Sequence, residues 1–187
     1  MPQQLAEQLG VSTMPVRQAL MRLEAERLAI RMPTGALLVA PLSVKEVEEI
    51  YALRVVLEGM AARLAAPRLG EEEMDALARL LERMEAEVAR GRIEELVETN
   101  REFHFFIYRE AGNERMFDVL KNLWDMSSRY RSMYYGQPGV PEQTLKEHRG
   151  ILAALQRKDA AGAEALVRSD MEATAQVLVA QVRDRME

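Results

Sequence analysis

The two histidines of the chain are its most chemically informative residues. His104 follows Asn100 by four positions in Asn100-Arg101-Glu102-Phe103-His104, which sets an amide and an imidazole on one helix face. His148 lies much further along, in Glu147-His148-Arg149-Gly150-Ile151-Leu152. Phe103, Ile107, Ile151, Leu152 and Leu155 put both histidines beside apolar stripes. Read alone, such a pair is more simply two partly buried side chains hydrogen-bonded to neighbours than two ligands of a common site. Arg54 has Glu58 one helical turn on as an obvious ion-pair partner, although a guanidinium can equally pair bidentately with another carboxylate. Arg129, Tyr130 and Arg131 could line a cavity, but arginines on helices are usually solvated, and Trp124 and the methionines read as core.

Composition narrows the chemistry. The absence of cysteine excludes a disulfide framework, thiolate metal sites and a cysteine nucleophile. No apolar run approaches the roughly 18 residues of a membrane span. The N-terminus lacks the basic-then-apolar layout of a secretory signal, so a soluble cytoplasmic protein without membrane contact is expected. At 187 residues the chain can bury a core without staples, and 48% hydrophobic residues exclude a disordered chain. Its net charge of −5 is uneven: residues 1–42 carry +1 and the remainder −6. A weakly basic head on an acidic body is compatible with nucleic-acid binding by the head.

The elements that must position these residues follow from periodicity and punctuation. Residues 2–8 form a short helix stopped by Gly10. Ser12 caps a second helix reaching about 28, with Pro15 tolerated in its first turn. Pro33, Gly35 and Pro41 bracket the apolar run Ala36-Leu37-Leu38-Val39-Ala40, a turn and short strand or hairpin. From Ser43, where Ser-x-x-Glu46 forms a capping box, six amphipathic helices are expected over about 43–66, 71–90, 93–111, 114–135, 142–157 and 159–185. The chain is thus mainly α. A partial winged helix-turn-helix over 1–42 precedes an antiparallel all-α bundle over 43–187.

In the head, the second helix starts at a tight turn and can project its N-terminal residues into a DNA major groove. Ser12, Thr13 and Gln18 offer hydrogen-bonding groups, and Arg17 a phosphate or base contact. Leu5, Leu9, Val16, Leu20 and Leu23 are the expected packing residues, and Thr34-Gly35 the wing turn. Two core helices of a larger bundle would give the same outline.

The wording of the sequence goes further. Leu5-Ala6-Glu7-Gln8-Leu9-Gly10-Val11-Ser12, Pro15-Val16-Arg17-Gln18-Ala19-Leu20 and Arg22-Leu23-Glu24-Ala25-Glu26 resemble the DNA-binding domain of GntR-family bacterial transcription regulators. Gly35-Ala36 and Val39-Ala40-Pro41-Leu42 look like its wing strand. The resemblance implies operator DNA as partner, with Ser12, Thr13, Arg17, Gln18, Arg22, Thr34 and Gly35 at the contact. Members of that family usually carry a further helix ahead of this motif, and arginines near Gln3 and where Thr13 and Thr34 stand. Losing three cationic contacts implies weaker or altered DNA binding.

The body, residues 43–187, resembles the helical FCD effector domain of the FadR branch, in its shorter, six-helix, VanR-like form. The matching phrases are Ile50-Tyr51-Ala52-Leu53-Arg54 with Glu58, Phe103-His104 before Gly112-Asn113, Glu147-His148 with Ile151-Leu152, and Asp159 before the final helix. Many such domains hold a divalent metal with one Asp and three His. Those positions fall on Asn100, His104, His148 and Asp170. Asn100 thus replaces a carboxylate and Asp170 an imidazole, a set compatible with zinc, nickel or manganese but poorer in nitrogen donors.

The resemblance implies a ligand-responsive regulator, a repressor in the leading reading. It would bind a palindromic operator as a homodimer and sense a small carboxylate at Arg54, Asn100, His104 and His148. Two other classes fit the residues: a small metalloenzyme activating water, and a protein-interaction bundle whose head has lost DNA binding.

Overall fold

The computed structural model describes residues 2–25 and 28–185, and of Ser132 the backbone alone. The chain folds as two compact units, residues 1–43 and 44–187.

The first unit joins α1 (Pro2–Leu9) and α2 (Thr13–Ala25) through a turn in which Gly10 adopts φ +66°. An antiparallel hairpin follows, β1 (Ala29–Arg31) with β2 (Leu37–Val39), pairing Ile30 with Leu38. The sequence places helix as far as 28. Glu26 and Arg27 lie outside the described residues, but Ala29 to Arg31 are strand, and the Leu28 carbonyl accepts from the Ala40 amide at 3.0 Å. A three-residue strand is too short for periodicity to announce; its partner decides it. The wing turn closes where Gly35, at φ +80°, donates its amide to the Met32 carbonyl at 2.8 Å.

Of the expected head packing residues, Val16 is buried and Leu20 half-buried, but Leu5, Leu9 and Leu23 are exposed. Two short helices and one ribbon enclose too little volume to cover them; Ala6, Val16 and Ala40 are the buried hydrophobics of this unit among the described residues.

The second unit is all helical: α3 (Val44–Ala65), α4 (Glu71–Ala89), α5 (Ile93–Glu110), α6 (Glu114–Met126), α7 (Ser128–Tyr135), α8 (Val140–Gln156) and α9 (Ala160–Asp184). α3 is the central element and packs chiefly on α9. Gly59 makes the approach possible, because a Cβ there would lie 2.6 Å from the Arg168 Cγ. Asn113 caps α6 by accepting the Met116 amide at 3.0 Å, and Asp159 caps α9 by accepting that of Gly162 at 2.8 Å.

The helix expected over 114–135 is two helices, interrupted at Ser127, so the described residues of the body form seven helices rather than the expected six of the shorter form. The Ser127 hydroxyl donates to the Trp124 carbonyl at 2.9 Å, and Arg131 Nη1 donates to the same carbonyl at 2.9 Å. Side chains thus satisfy a carbonyl at the end of α6, and the chain can restart in a new direction. Among the described residues no helix is long and apolar enough to cross a membrane.

Candidate functional site

Four helices of the second unit bring polar side chains to a shared buried centre. α5 contributes Asn100 and His104 one turn apart, α8 contributes His148, α9 contributes Asp170, and α3 contributes Tyr51, Arg54 and Glu58; all are buried. The imidazoles of His104 and His148 converge edge to face, with centroids 4.8 Å apart and planes at 88°. His104 Nε2 lies 3.6 Å from Asp170 Oδ2, and His104, His148 and Asp170 each place a ligand atom within 4.8 Å of the others.

The hydrogen bonding of this cluster is incomplete in an informative way. His148 Nδ1 sits 2.9 Å from the Thr144 carbonyl, which assigns the proton to Nδ1 and leaves the Nε2 lone pair as the ligand atom His148 can offer beside His104 and Asp170. His148 Nε2, Asn100 Oδ1 and Asp170 Oδ2 are all buried without a hydrogen-bond partner, as is His104 Nδ1. Buried polar atoms are ordinarily satisfied, because each orphan costs about 1–3 kcal/mol. Several such atoms around one buried centre are the arrangement that a set of ligands for a cation requires. Two ligands at about 2.1 Å from one ion stand at most about 4.2 Å apart, so a modest contraction closes the set. The donors fit a divalent metal.

Electrostatics points the same way. Burial, then the neighbouring His148 and Arg54, hold His104 well below the usual imidazole range. Burial lowers His148 to about 4, against a small opposing effect of the Thr144 bond. Burial, with Glu147 and Glu58 adding, raises the Asp170 carboxyl well above the ordinary range. The site therefore holds neutral imidazoles and penalises the Asp170 charge, a penalty that a cation would reverse.

Arg54 shows one of its two readings directly. Its Nε donates to Glu58 Oε1 at 2.7 Å and its Nη1 to the Ser127 hydroxyl at 3.2 Å. The guanidinium lies between the rings of Tyr51 and Trp124, 4.7 and 4.6 Å from their centroids. Tyr108 donates its hydroxyl to Glu58 Oε2. Burial is the largest single influence and pulls the Arg54 guanidinium toward neutrality, but Glu58, Tyr51 and Tyr108 together outweigh it and the guanidinium stays charged.

The structure also shows what sequence reasoning undervalued. Trp124, taken as core, lines the cavity and lies 5.7 Å from His104. Tyr134, Tyr135 and Thr174 line it too, and Tyr108 and Thr144 act behind it. Only the spacing of Tyr108 four residues after His104 signalled any of these. Arg131 lines the cavity, whereas Arg129 and Tyr130 engage Glu46 in the first turn of α3. The cavity encloses only about 30 Å³, enough for an ion and a water or so.

In the first unit, Ser12, Thr13, Arg17, Gln18 and Arg22 are exposed on or just before α2, and Thr34 and Gly35 are exposed at the hairpin turn. Arg31, which the sequence did not single out, braces the wing. It holds Glu24 of α2 through Nε and Nη2 at 3.0 and 2.7 Å.

Comparisons with known proteins agree on what this arrangement is. Residues 2–39 match the family of bacterial regulatory proteins, gntR family, and residues 49–173 match the FCD domain. The HTH-type transcriptional regulator McbR of Escherichia coli (strain K12) is 30% identical over 181 residues, spanning 95% of this chain and 81% of that protein. The HTH-type transcriptional repressor GlaR of the same organism is 30% identical over 171 residues, 87% of this chain and 77% of that one. The solved structure of E. coli McbR/YncC superposes with a TM-score of 0.83 at 28% identity, covering 97% of this chain and 86% of that chain. These relatives and both matched families are regulators rather than enzymes. The chain belongs to the gntR family of bacterial regulatory proteins: it is a transcription regulator with an FCD domain.

Proposed function

We propose that this regulator is a cytoplasmic, homodimeric repressor that releases operator DNA in response to a small carboxylate metabolite held at a divalent metal. The observation that carries the proposal is the set of buried, partnerless atoms on Asn100, His104, His148 and Asp170 around one cavity.

In this reading Ser12, Thr13, Gln18 and Arg22 approach the major groove from α2, Arg17 meets phosphate or a base edge, and Thr34 and Gly35 bring the wing turn to the backbone. Two copies related by a dyad match a palindromic site. The relative GlaR is a repressor, which supports the direction of regulation.

In the body, Asn100 Oδ1, His104, His148 Nε2 and an Asp170 oxygen are the ligands, and Thr144 fixes the His148 tautomer. A bound zinc, nickel or manganese ion would supply charge and an open position for a carboxylate oxygen. Arg54 and Arg131 stand on the cavity wall as cationic partners for the rest of that carboxylate. A cavity of about 30 Å³ does not hold a metabolite without side-chain movement. In this reading effector binding draws Arg54 away from Glu58 and Ser127, and it couples to DNA binding to the extent that the DNA-bound and free states hold those bonds unequally. Coupling of about 1–3 kcal/mol suffices for a switch.

The test is fluorescence anisotropy on DNA from upstream of the protein's own gene, with chelator-stripped and zinc- or manganese-loaded protein, against a panel of small mono- and dicarboxylates. The expected result is salt-dependent binding that one carboxylate weakens by about fivefold or more, only with metal present. No binding at low salt, or an identical response without metal, contradicts the proposal.

A further inference from the structure

The surface of α4, α5 and α6 carries a second cavity, a groove of about 670 Å³ that shares no lining residue with the central one. Its volume lies in the range of small-molecule sites. Five cations and two carboxylates line it, on a protein whose net charge is −5. Arg83 is spent on Glu102, which it holds through both terminal nitrogens at 3.0 Å. Among the described residues, Arg79, Arg101, Arg109 and Lys121 form no ion pair, and Glu98, whose charge acts on Arg131, makes no direct ion pair either.

The floor is aromatic. Phe105 and Phe117 meet edge to face at 5.6 Å, with Phe106 beside them. The Arg101 guanidinium lies 4.7 Å from the Phe105 centroid and that of Arg109 5.3 Å from the Phe117 centroid. Arg101 Nε is buried and has no acceptor. An orphaned donor and cations held on rings rather than on carboxylates favour a ligand that brings an anion and a flat apolar body together.

We infer that this groove is a second ligand site, taking an aryl carboxylate: the carboxylate between Arg101 and Arg109, the ring against the half-buried Phe106 and Phe117 above the buried Phe105. Arg101, Phe105 and Arg109 follow one another at four-residue spacing on α5, one position past the line of Asn100, His104 and Tyr108 that faces the centre. Phe105 also packs on Trp124, 5.5 Å between centroids, and Trp124 is the single tryptophan of the chain.

The experiment titrates the full chain with 2-naphthoate by calorimetry, and repeats it with 2-naphthalenemethanol, which keeps the ring and removes the charge. The expected result is one naphthoate per chain, bound roughly tenfold more tightly than the alcohol. Arg101→Gln and Arg109→Gln, checked for an unchanged circular dichroism spectrum, each weaken naphthoate about tenfold. His148→Ala, checked in the same way for an unchanged circular dichroism spectrum, changes a side chain that does not line the groove and leaves naphthoate affinity unchanged. Equal affinity for acid and alcohol overturns the assignment, as does loss of binding in His148→Ala. No binding up to about 5 mM, as would follow if a second copy of the chain covered the groove, overturns it too.

Discussion

The Arg54 guanidinium donates to the Ser127 hydroxyl across 73 positions of chain. This bond joins the middle of α3 to the break between α6 and α7, and α7 supplies Arg131, Tyr134 and Tyr135 to the cavity wall. The same α7 meets the first turn of α3 through Arg129 and Tyr130 on Glu46. A side chain on the cavity wall thus holds the joint of the helix that encloses it. Ser127→Ala removes both the acceptor for Arg54 and a donor to the Trp124 carbonyl. Urea denaturation is expected to show a loss of about 1–3 kcal/mol. An unchanged midpoint would mean that the joint does not depend on this hydroxyl.

Glu58 is the counter-ion that lets Arg54 stay buried. Glu58→Ala leaves a buried guanidinium without its partner and should cost about 3–5 kcal/mol. Tyr108→Phe removes one hydrogen bond to that carboxylate and should cost about 1.5–3 kcal/mol. Equilibrium unfolding of the two variants checks the order; Tyr108→Phe proving the more harmful would reverse the assigned roles.

The buried histidines make metal-free protein acid-sensitive. His148 has a folded pKa of about 4 against an ordinary 6.5, so below 6.5 the unfolded chain takes up the proton first. Stability is therefore unaffected by His148 above about 6.5 and falls as pH drops toward 4, by up to roughly 3 kcal/mol. His104, also lowered, adds in the same direction. Asp170, raised, opposes them, since its contribution is full below 3.8 and is lost as pH rises above that value. Unfolding in chelator between pH 7 and 4 should show a steeper decline for the wild type than for His148→Gln, which cannot titrate. Equal slopes would remove His148 from the acid response.

Legibility in the sequence followed the range of the interactions involved. The Asn100–His104 pair and the helices of the bundle were readable because helical periodicity is local. Asp170 carries no local sign of its role on α9, and only the family resemblance pointed to it. The break at Ser127 was invisible because bonds from Arg54 and Arg131 stabilise it, the former from 73 residues away. Trp124 looked like core and is core on one side, yet its other side meets Arg54 and His104. Leu5, Leu9 and Leu23 have the spacing of packing residues, but periodicity cannot say whether a partner surface exists to cover them.

For the head, Arg17→Ala should weaken DNA binding almost uniformly across sequences and lower the slope of log K against log salt by about 1. Gly35→Val, at φ +80°, forces a β-branched residue into a left-handed conformation and should impair the wing. Anisotropy titrations over a range of salt check both. An unchanged salt slope in Arg17→Ala would take that residue off the phosphate backbone.

The convergence of Asn100, His104, His148 and Asp170 on a cation is tested most directly by calorimetric titration of chelator-stripped protein with zinc and manganese. One ion per chain is expected, with affinity falling about 100-fold or more in His148→Ala and Asp170→Ala. No saturable binding, or binding that persists unchanged in His148→Ala and Asp170→Ala, would contradict the assignment of these residues as a metal site.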